Sequence, residues 1–219
     1  MSNGKIITST EVRLSFEHLL TPQAQKNDDG TMGDPAYSTM LLIPKSDTET
    51  VEGIRTAINE ALQKGVSEKW NGKRPSGLRN PLRDGDEELN DEGLPRHPGF
   101  FFVNAKGPRG GAEPAFLYAK NGRLVTAQDR DATEIVYSGV YGRVSLNFYP
   151  YDRKGNKGVA AGIVAFLSGE HGERLDSRPT ATSALGEFGI DPFAEKQEAF
   201  GSAPQGQAQA IDADEDPWG

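Results

Sequence analysis

The stretch Ile135-Val-Tyr-Ser-Gly-Val-Tyr-Gly-Arg-Val-Ser-Leu-Asn-Phe-Tyr-Pro-Tyr151 decides how the rest of the chain is read. Its even positions give Val136, Val140, Val144, Leu146 and Phe148, with the small Ser138 and Gly142 between them. Its odd positions give Tyr137, Tyr141, Arg143, Ser145, Asn147, Tyr149 and Tyr151. Period-two alternation marks a strand with one face in a core, so the spacing predicts one long strand over 135–151, bent at Ser138-Gly139. The odd face is neither apolar nor plainly solvated. Rings in a row offer π-faces to bases of any sequence, and a guanidinium meets phosphate. The plainer reading is propensity: tyrosine favours strands and sits at sheet borders with its hydroxyl wet. Four tyrosines on one parity beside an arginine go beyond it.

Outward from this strand, the turn at 152–158 carries Arg153, Lys154 and Lys157, placed to hold phosphates at a sheet edge. A partner strand follows over 159–167, with Val159, Ala161, Ile163, Ala165 and Leu167 on its core face. Gly158, Ala160 and Gly162 leave its other face low, so a flat ligand can approach the backbone. Upstream, 115–119 and 123–127 flank Asn121-Gly122, a strong hairpin signal. Further strands are predicted over 6–20, 36–43 and 100–106. The period changes once: Val51, Ile54, Ile58, Ala61 and Leu62 follow the capping-box pattern Ser46-x-x-Glu49, predicting a helix from Thr48 to about Lys64, with Gly65 near its end. Residues 67–98 form a long loop, basic first (Lys69, Lys73, Arg74, Arg79, Arg83, interrupted by Trp70) and then acidic (Asp84, Asp86, Glu87, Glu88, Asp91, Glu92).

The 219 residues suffice for one sizeable domain. The absence of cysteine removes disulfides, thiolate catalysis and Cys-based zinc sites. No stretch has the length and apolarity of a membrane helix, and the N-terminal residues do not read as a signal peptide. The net charge of −8 is uneven: residues 187–219 hold eight acids and one base, leaving the preceding 186 residues at −1. The expectation is therefore an ordered domain over 1–185 and a disordered acidic tail over 186–219. Several strands without βαβ alternation point to an antiparallel sandwich or small barrel, mainly β with one helix. The GxxxxGK[ST], HExxH and GxSxG motifs are absent, His18, His97 and His171 are scattered, and no cofactor is expected. The acids of 84–92 have the chemistry to hold Mg²⁺ or Ca²⁺, but on a polar loop they read as a solvated surface.

The 135–151 stretch, followed by Gly155-Asn-Lys-Gly158, resembles the signature of a bacteriophage single-stranded DNA-binding protein family, and Gly99-Phe-Phe-Phe-Val-Asn-Ala-Lys106 is similar in style. The resemblance covers about residues 5–185. It implies an OB-fold, a five-stranded Greek-key barrel that coats single-stranded DNA in replication or recombination without catalysis. The helix falls after the second predicted strand, earlier than the place after the third usual in that fold. Either 6–20 hides two strands or the barrel is elaborated.

On this reading Tyr137, Tyr141, Tyr149 and Tyr151 stack bases, with Phe102 and Tyr118 as further candidates. Arg143, Arg153, Lys154, Lys157, Lys106, Arg109 and Arg123 meet phosphates. In the tail, Asp212, Asp214, Glu215 and Asp216 compete with DNA for the basic groove and recruit replication proteins such as a polymerase, helicase or primase, with Trp218 as the apolar anchor. Trp218 is followed by Gly219, whereas the tails of bacterial and phage single-strand binders end on the aromatic. The expected location is the host cytoplasm. The competing reading is a virion or assembly β-domain, in which the tyrosine face is covered by protein.

Overall fold

Five strands close on one another in the computed structural model, which describes residues 4–24, 30–153 and 155–175. They are β2 (Val12–Gln23), β3 (Ala36–Pro44), β5 (Phe100–Lys106), β8 (Tyr141–Arg153) and β9 (Asn156–Ser168). β2 pairs with β3, β3 with β5, β5 with β9, β9 with β8, and β8 returns to β2. Every pairing is antiparallel except β5–β9, and the closed ring is a Greek-key barrel of the OB type. Val12, Leu14, Leu41, Val103, Val144, Leu146, Ile163 and Phe166 fill its interior, each essentially without exposure.

The barrel is elaborated. β1 (Lys5–Ile7) and β2 both overlap the predicted 6–20 strand, but among the described residues β1 pairs only with β8, outside the ring. The long helix therefore still follows the second ring strand. β4 (Leu82–Asp84) adds to β5, and the hairpin β6 (Phe116–Tyr118) and β7 (Leu124–Val125) extends β9. Two four-residue helical turns complete the elements: α2 (Pro108–Gly111) and α3 (Ala132–Ile135).

Closure requires β2 to bend. Phe16 sits at φ +48, a region foreign to bulky side chains, and the register slips between Ser15 and His18. Neighbours hold the bend: the Glu17 carboxylate accepts from the Leu19 and Leu20 N–H groups, and Ser138 Oγ accepts from the Glu17 N–H at 2.9 Å.

Three expectations change. The long strand begins at Tyr141, because 132–135 coil into α3 and Gly139, at φ +118, turns the chain. β9 carries a bulge: Ser145 opposes Ala165 while Leu146 opposes Ile163, so Val164 is an extra residue that inverts parity. Phe166 and Ser168 therefore point inward, and Ala165 and Leu167 leave the core face assigned to them. The helix α1 (Thr48–Glu68) runs past Gly65, whose missing side chain admits the Trp70 ring; a Cβ there would lie 2.5 Å from it. Its N-cap is Asp47, whose side chain accepts from the Thr50 N–H at 3.0 Å, in place of the Ser46 box. One face of α1, with Val51, Ile54, Ile58, Ala61 and Leu62, is buried, and the helix packs against β8 and β1.

Candidate nucleic-acid interface

Residues facing each other across adjacent strands share a sheet face, so register alone builds the site. On the outside of the barrel Lys106 of β5 stands beside Gly162 of β9, Gly162 faces Asn147 of β8, and Asn147 faces Lys5 of β1. This row runs from lysine to lysine across three strand spacings, about 14 Å. The next residues along the strands are Ala160 opposite Tyr149, and then Gly158 opposite Tyr151. Ala160 and Gly162 keep β9 low, whereas the Arg79 backbone fills the space beside Gly158, its oxygen 2.7 Å from where a Cβ would lie, so the sequence expectation of an open strand changes there. A Cβ on Gly162 would meet the Tyr149 ring at 3.5 Å, so that ring lies against the strand where the side chain is missing. Burial raises the Tyr149 phenol above its ordinary value, and Arg153 partly opposes the shift. The ring therefore stays neutral at physiological pH, as a stacking partner next to phosphates should.

This face floors a groove of about 1380 Å³. Its described lining has seven cations (Lys5, Lys69, Arg79, Arg83, Lys106, Arg109, Arg153) and two acids (Asp34, Asp152). Asp152 is held by Lys157 at 3.2 Å, Arg83 pairs with Glu88, and Arg109 with Glu113 at 3.1 Å. No salt bridge among the described residues engages Lys5, Lys69, Arg79, Lys106 or Arg153. The balance is a cationic trough with two half-buried tyrosines on its floor.

Of the residues singled out from sequence, Tyr149, Tyr151, Arg153, Lys106 and Arg109 line this groove. Others do not. Tyr137 is 5% exposed, and its hydroxyl lies 3.1 Å from His171 Nδ1 and donates to the Gly172 carbonyl at 3.0 Å. Arg174 covers its ring at 4.3 Å. Tyr141 is half-buried beneath Arg13, and Arg13 in turn donates to the Gly139 and Glu173 carbonyls. These tyrosines staple 169–175 across the barrel end. Phe102 is 1% exposed, sandwiched by Arg83 at 4.8 Å and the His97 edge. Tyr137 and Phe102 thus present almost no ring surface to a ligand in this conformation, because both are buried. Arg143 donates to the Thr8 carbonyl at 3.1 Å, Arg123 pairs with Asp129 and Asp131, and Tyr118 opposes Leu124 and Leu167 on the hairpin side. Lys157 is tied to Asp152. Lys154 and the tail residues Asp212, Asp214, Glu215, Asp216 and Trp218 lie outside the described residues.

Sequence reading missed Lys5, Asn104 and Asn147, and it left Lys69, Arg79 and Arg83 unassigned in a basic loop. Lys5 is part of the site only through the β1–β8 pairing, which no local pattern announces. Asn147 was visible on the tyrosine parity. The acids of 84–92 are partly spent on cations, Asp84 and Asp86 on Lys45 at 2.5 and 2.7 Å. Among the described residues no group of three potential ligands is placed to hold a metal, and no helix is long and apolar enough to cross a membrane.

Comparison with known proteins adds three findings. A family model described as "Enterobacter phage Enc34, ssDNA-binding protein" matches residues 4–199. A protein of Acyrthosiphon pisum secondary endosymbiont phage 1, designated p50, is 31% identical over 176 residues, covering 75% of this chain and 84% of its own. Among solved structures, the fold is similar to the single-stranded DNA-binding protein from bacteriophage Enc34 in complex with ssDNA (TM-score 0.59, 21% identity, 79% of this chain and 90% of that one). It is also similar to gp2.5, a single-stranded DNA binding protein encoded by bacteriophage T7 (TM-score 0.51, 14% identity, 82% of this chain and 99% of that one).

Proposed function

Since this chain belongs to the phage single-stranded DNA-binding protein family named for Enterobacter phage Enc34, we propose that it binds single-stranded DNA along the groove over β9 and β8. The family is one of binding proteins, not enzymes. The observation that carries the reading is the coincidence of two half-buried tyrosines, a low Gly/Ala strand and unpaired cations in one trough. Tyr149 and Tyr151 stack bases, while Lys5, Lys106, Arg109 and Arg153 meet phosphates. Neither contact reads sequence, so binding is general and serves to coat DNA during phage replication or recombination in the host cytoplasm. The virion reading requires the tyrosine face to be covered. Among the described residues, its Tyr137–Tyr141 end is covered by the chain's own 169–175 segment, while the Tyr149–Tyr151 end lines the groove.

The acidic tail, in this reading, competes with DNA for the groove and, once displaced, recruits basic replication partners. The primary test is binding of fluorescent oligo-dT across a salt series, with duplex of equal length as competitor. Tight binding is expected, with log affinity falling by about 0.7 per phosphate contact for each tenfold rise in salt and with duplex competing poorly. Absence of binding at low salt would overturn the reading in favour of a protein-assembly role.

A further inference from the structure

We propose that the loop from Lys69 to Arg83 is a second phosphate-binding rail, which receives the DNA strand where it leaves the Tyr149–Tyr151 end of the groove and lengthens the footprint. The inference rests on the single-strand-binding reading above and extends it to a segment outside the barrel strands.

Three observations carry it. First, the loop holds five cations and no acid, an arrangement that repels itself and that a solvated surface loop has no need to keep. Lys73 and Arg74 are exposed, and no salt bridge among the described residues engages them. Elsewhere the cations Lys45, Lys120 and Arg123 are all paired with carboxylates. Second, the loop is rigidly fastened despite its polarity. Trp70, 4% exposed, packs where Gly65 has no side chain, a position that Pro150 also borders. Arg79 joins β9 through its backbone: its N–H donates to the Lys157 carbonyl and its carbonyl accepts from the Val159 N–H, both at 3.1 Å. Gly158 makes this possible, since a Cβ there would lie 2.7 Å from the Arg79 oxygen.

Third, the anchors are at the right place. Pro150 precedes Tyr151, and Gly158 is the residue facing Tyr151 across the β8–β9 pair. The two fastenings thus bracket the last aromatic residue on the groove floor. The side chains between them extend the cationic lining outward, with Lys69 and Arg79 inside the groove and Lys73 and Arg74 beyond it. A strand stacked on Tyr149 and Tyr151 runs out onto this rail.

The test uses the full chain carrying Lys73→Ala and Arg74→Ala together, two exposed positions outside the groove lining, with thermal melting as the folding control. Binding is measured to dT oligomers of about 8 and about 25 nucleotides, lengths either side of a typical single OB-fold site. Affinity for the short oligomer should match wild type. Affinity for the long one should fall roughly 10- to 25-fold near 0.1 M salt, and its salt slope should shrink by about 1.4, two contacts at about 0.7 each. Wild-type affinity and slope on the long oligomer would overturn the rail while leaving the groove reading intact, provided Tyr149→Ala still weakens binding. Equal losses on both lengths would also overturn it, by placing Lys73 and Arg74 in the main site. Failure of wild type to bind either oligomer would remove both proposals.

Discussion

Tyr149 lies over the bare Gly162 backbone with its phenol pushed above the ordinary value, and Tyr151 faces Gly158 next to it. Both tyrosines line the groove. Replacing either with alanine should cost about 1–3 kcal/mol of single-strand affinity per lost stack, with the melting temperature nearly unchanged. Tyr137 is the contrasting case. Its hydroxyl ties His171 and Gly172 to the barrel. Tyr137→Phe should lower unfolding free energy by about 1 kcal/mol, because it removes part-buried hydrogen bonds to His171 and Gly172, and leave DNA affinity unchanged. Chemical denaturation and oligomer binding on the same samples separate the two outcomes. A loss of affinity in Tyr137→Phe without a loss of stability would mean that its hydroxyl reaches DNA.

Among the elements, α1 shows how a helix outside the ring fixes the site. Its packed face holds β1 and β8, and through them Lys5 beside Asn147. Asp47 secures its start. Burial alone would raise that carboxyl, but hydrogen bonds from Thr10, Thr50 and Ser9 more than offset it and hold its pKa below the usual value. Because the folded pKa is depressed, the stabilisation is fully present above the unfolded value near 4. It is lost as pH falls from there through the folded value. Asp47→Ala should cost about 1 kcal/mol at neutral pH, reduced by salt because the group is partly exposed. The difference from wild type should shrink in urea melts as pH is lowered below about 4. A difference independent of pH would mean that packing, not the carboxylate, supplies the effect. The β9 bulge acts at the same scale: one extra residue turns Leu167 outward, while Gly158, Ala160 and Gly162, on the turn side of it, stay in the register that faces the tyrosines.

At the scale of the whole molecule, charge is partitioned between a near-neutral body with a cationic trough and a strongly acidic C-terminal stretch. On the proposed reading the acidic stretch competes with DNA for the trough, at an effective concentration that dilution does not change. Deleting residues 212–219 should therefore tighten oligo-dT binding at low salt, with the gain shrinking as salt screens the competition. Equal affinity of the truncated and full chains at low salt would remove self-competition from the mechanism.

The barrel was legible in the sequence because its signals are local. Period-two alternation marks a buried face within one strand, Asn121-Gly122 encodes its own turn, and the helical period of 51–62 needs no distant partner. The same locality let Tyr149, Tyr151, Lys106, Arg109 and Arg153 be picked out. Parity could not separate Tyr149 from Tyr137, because it says which side of a strand a residue lies on and nothing of what covers that side. Tertiary structure alone folded 169–175 over one end of the row, drew Lys5 in through β1 and fastened the basic loop at Gly158. Each of those outcomes depends on contacts between residues far apart in the chain. Alternation records the solvent each side chain avoids, whereas the partner it finds is set by how the barrel closes.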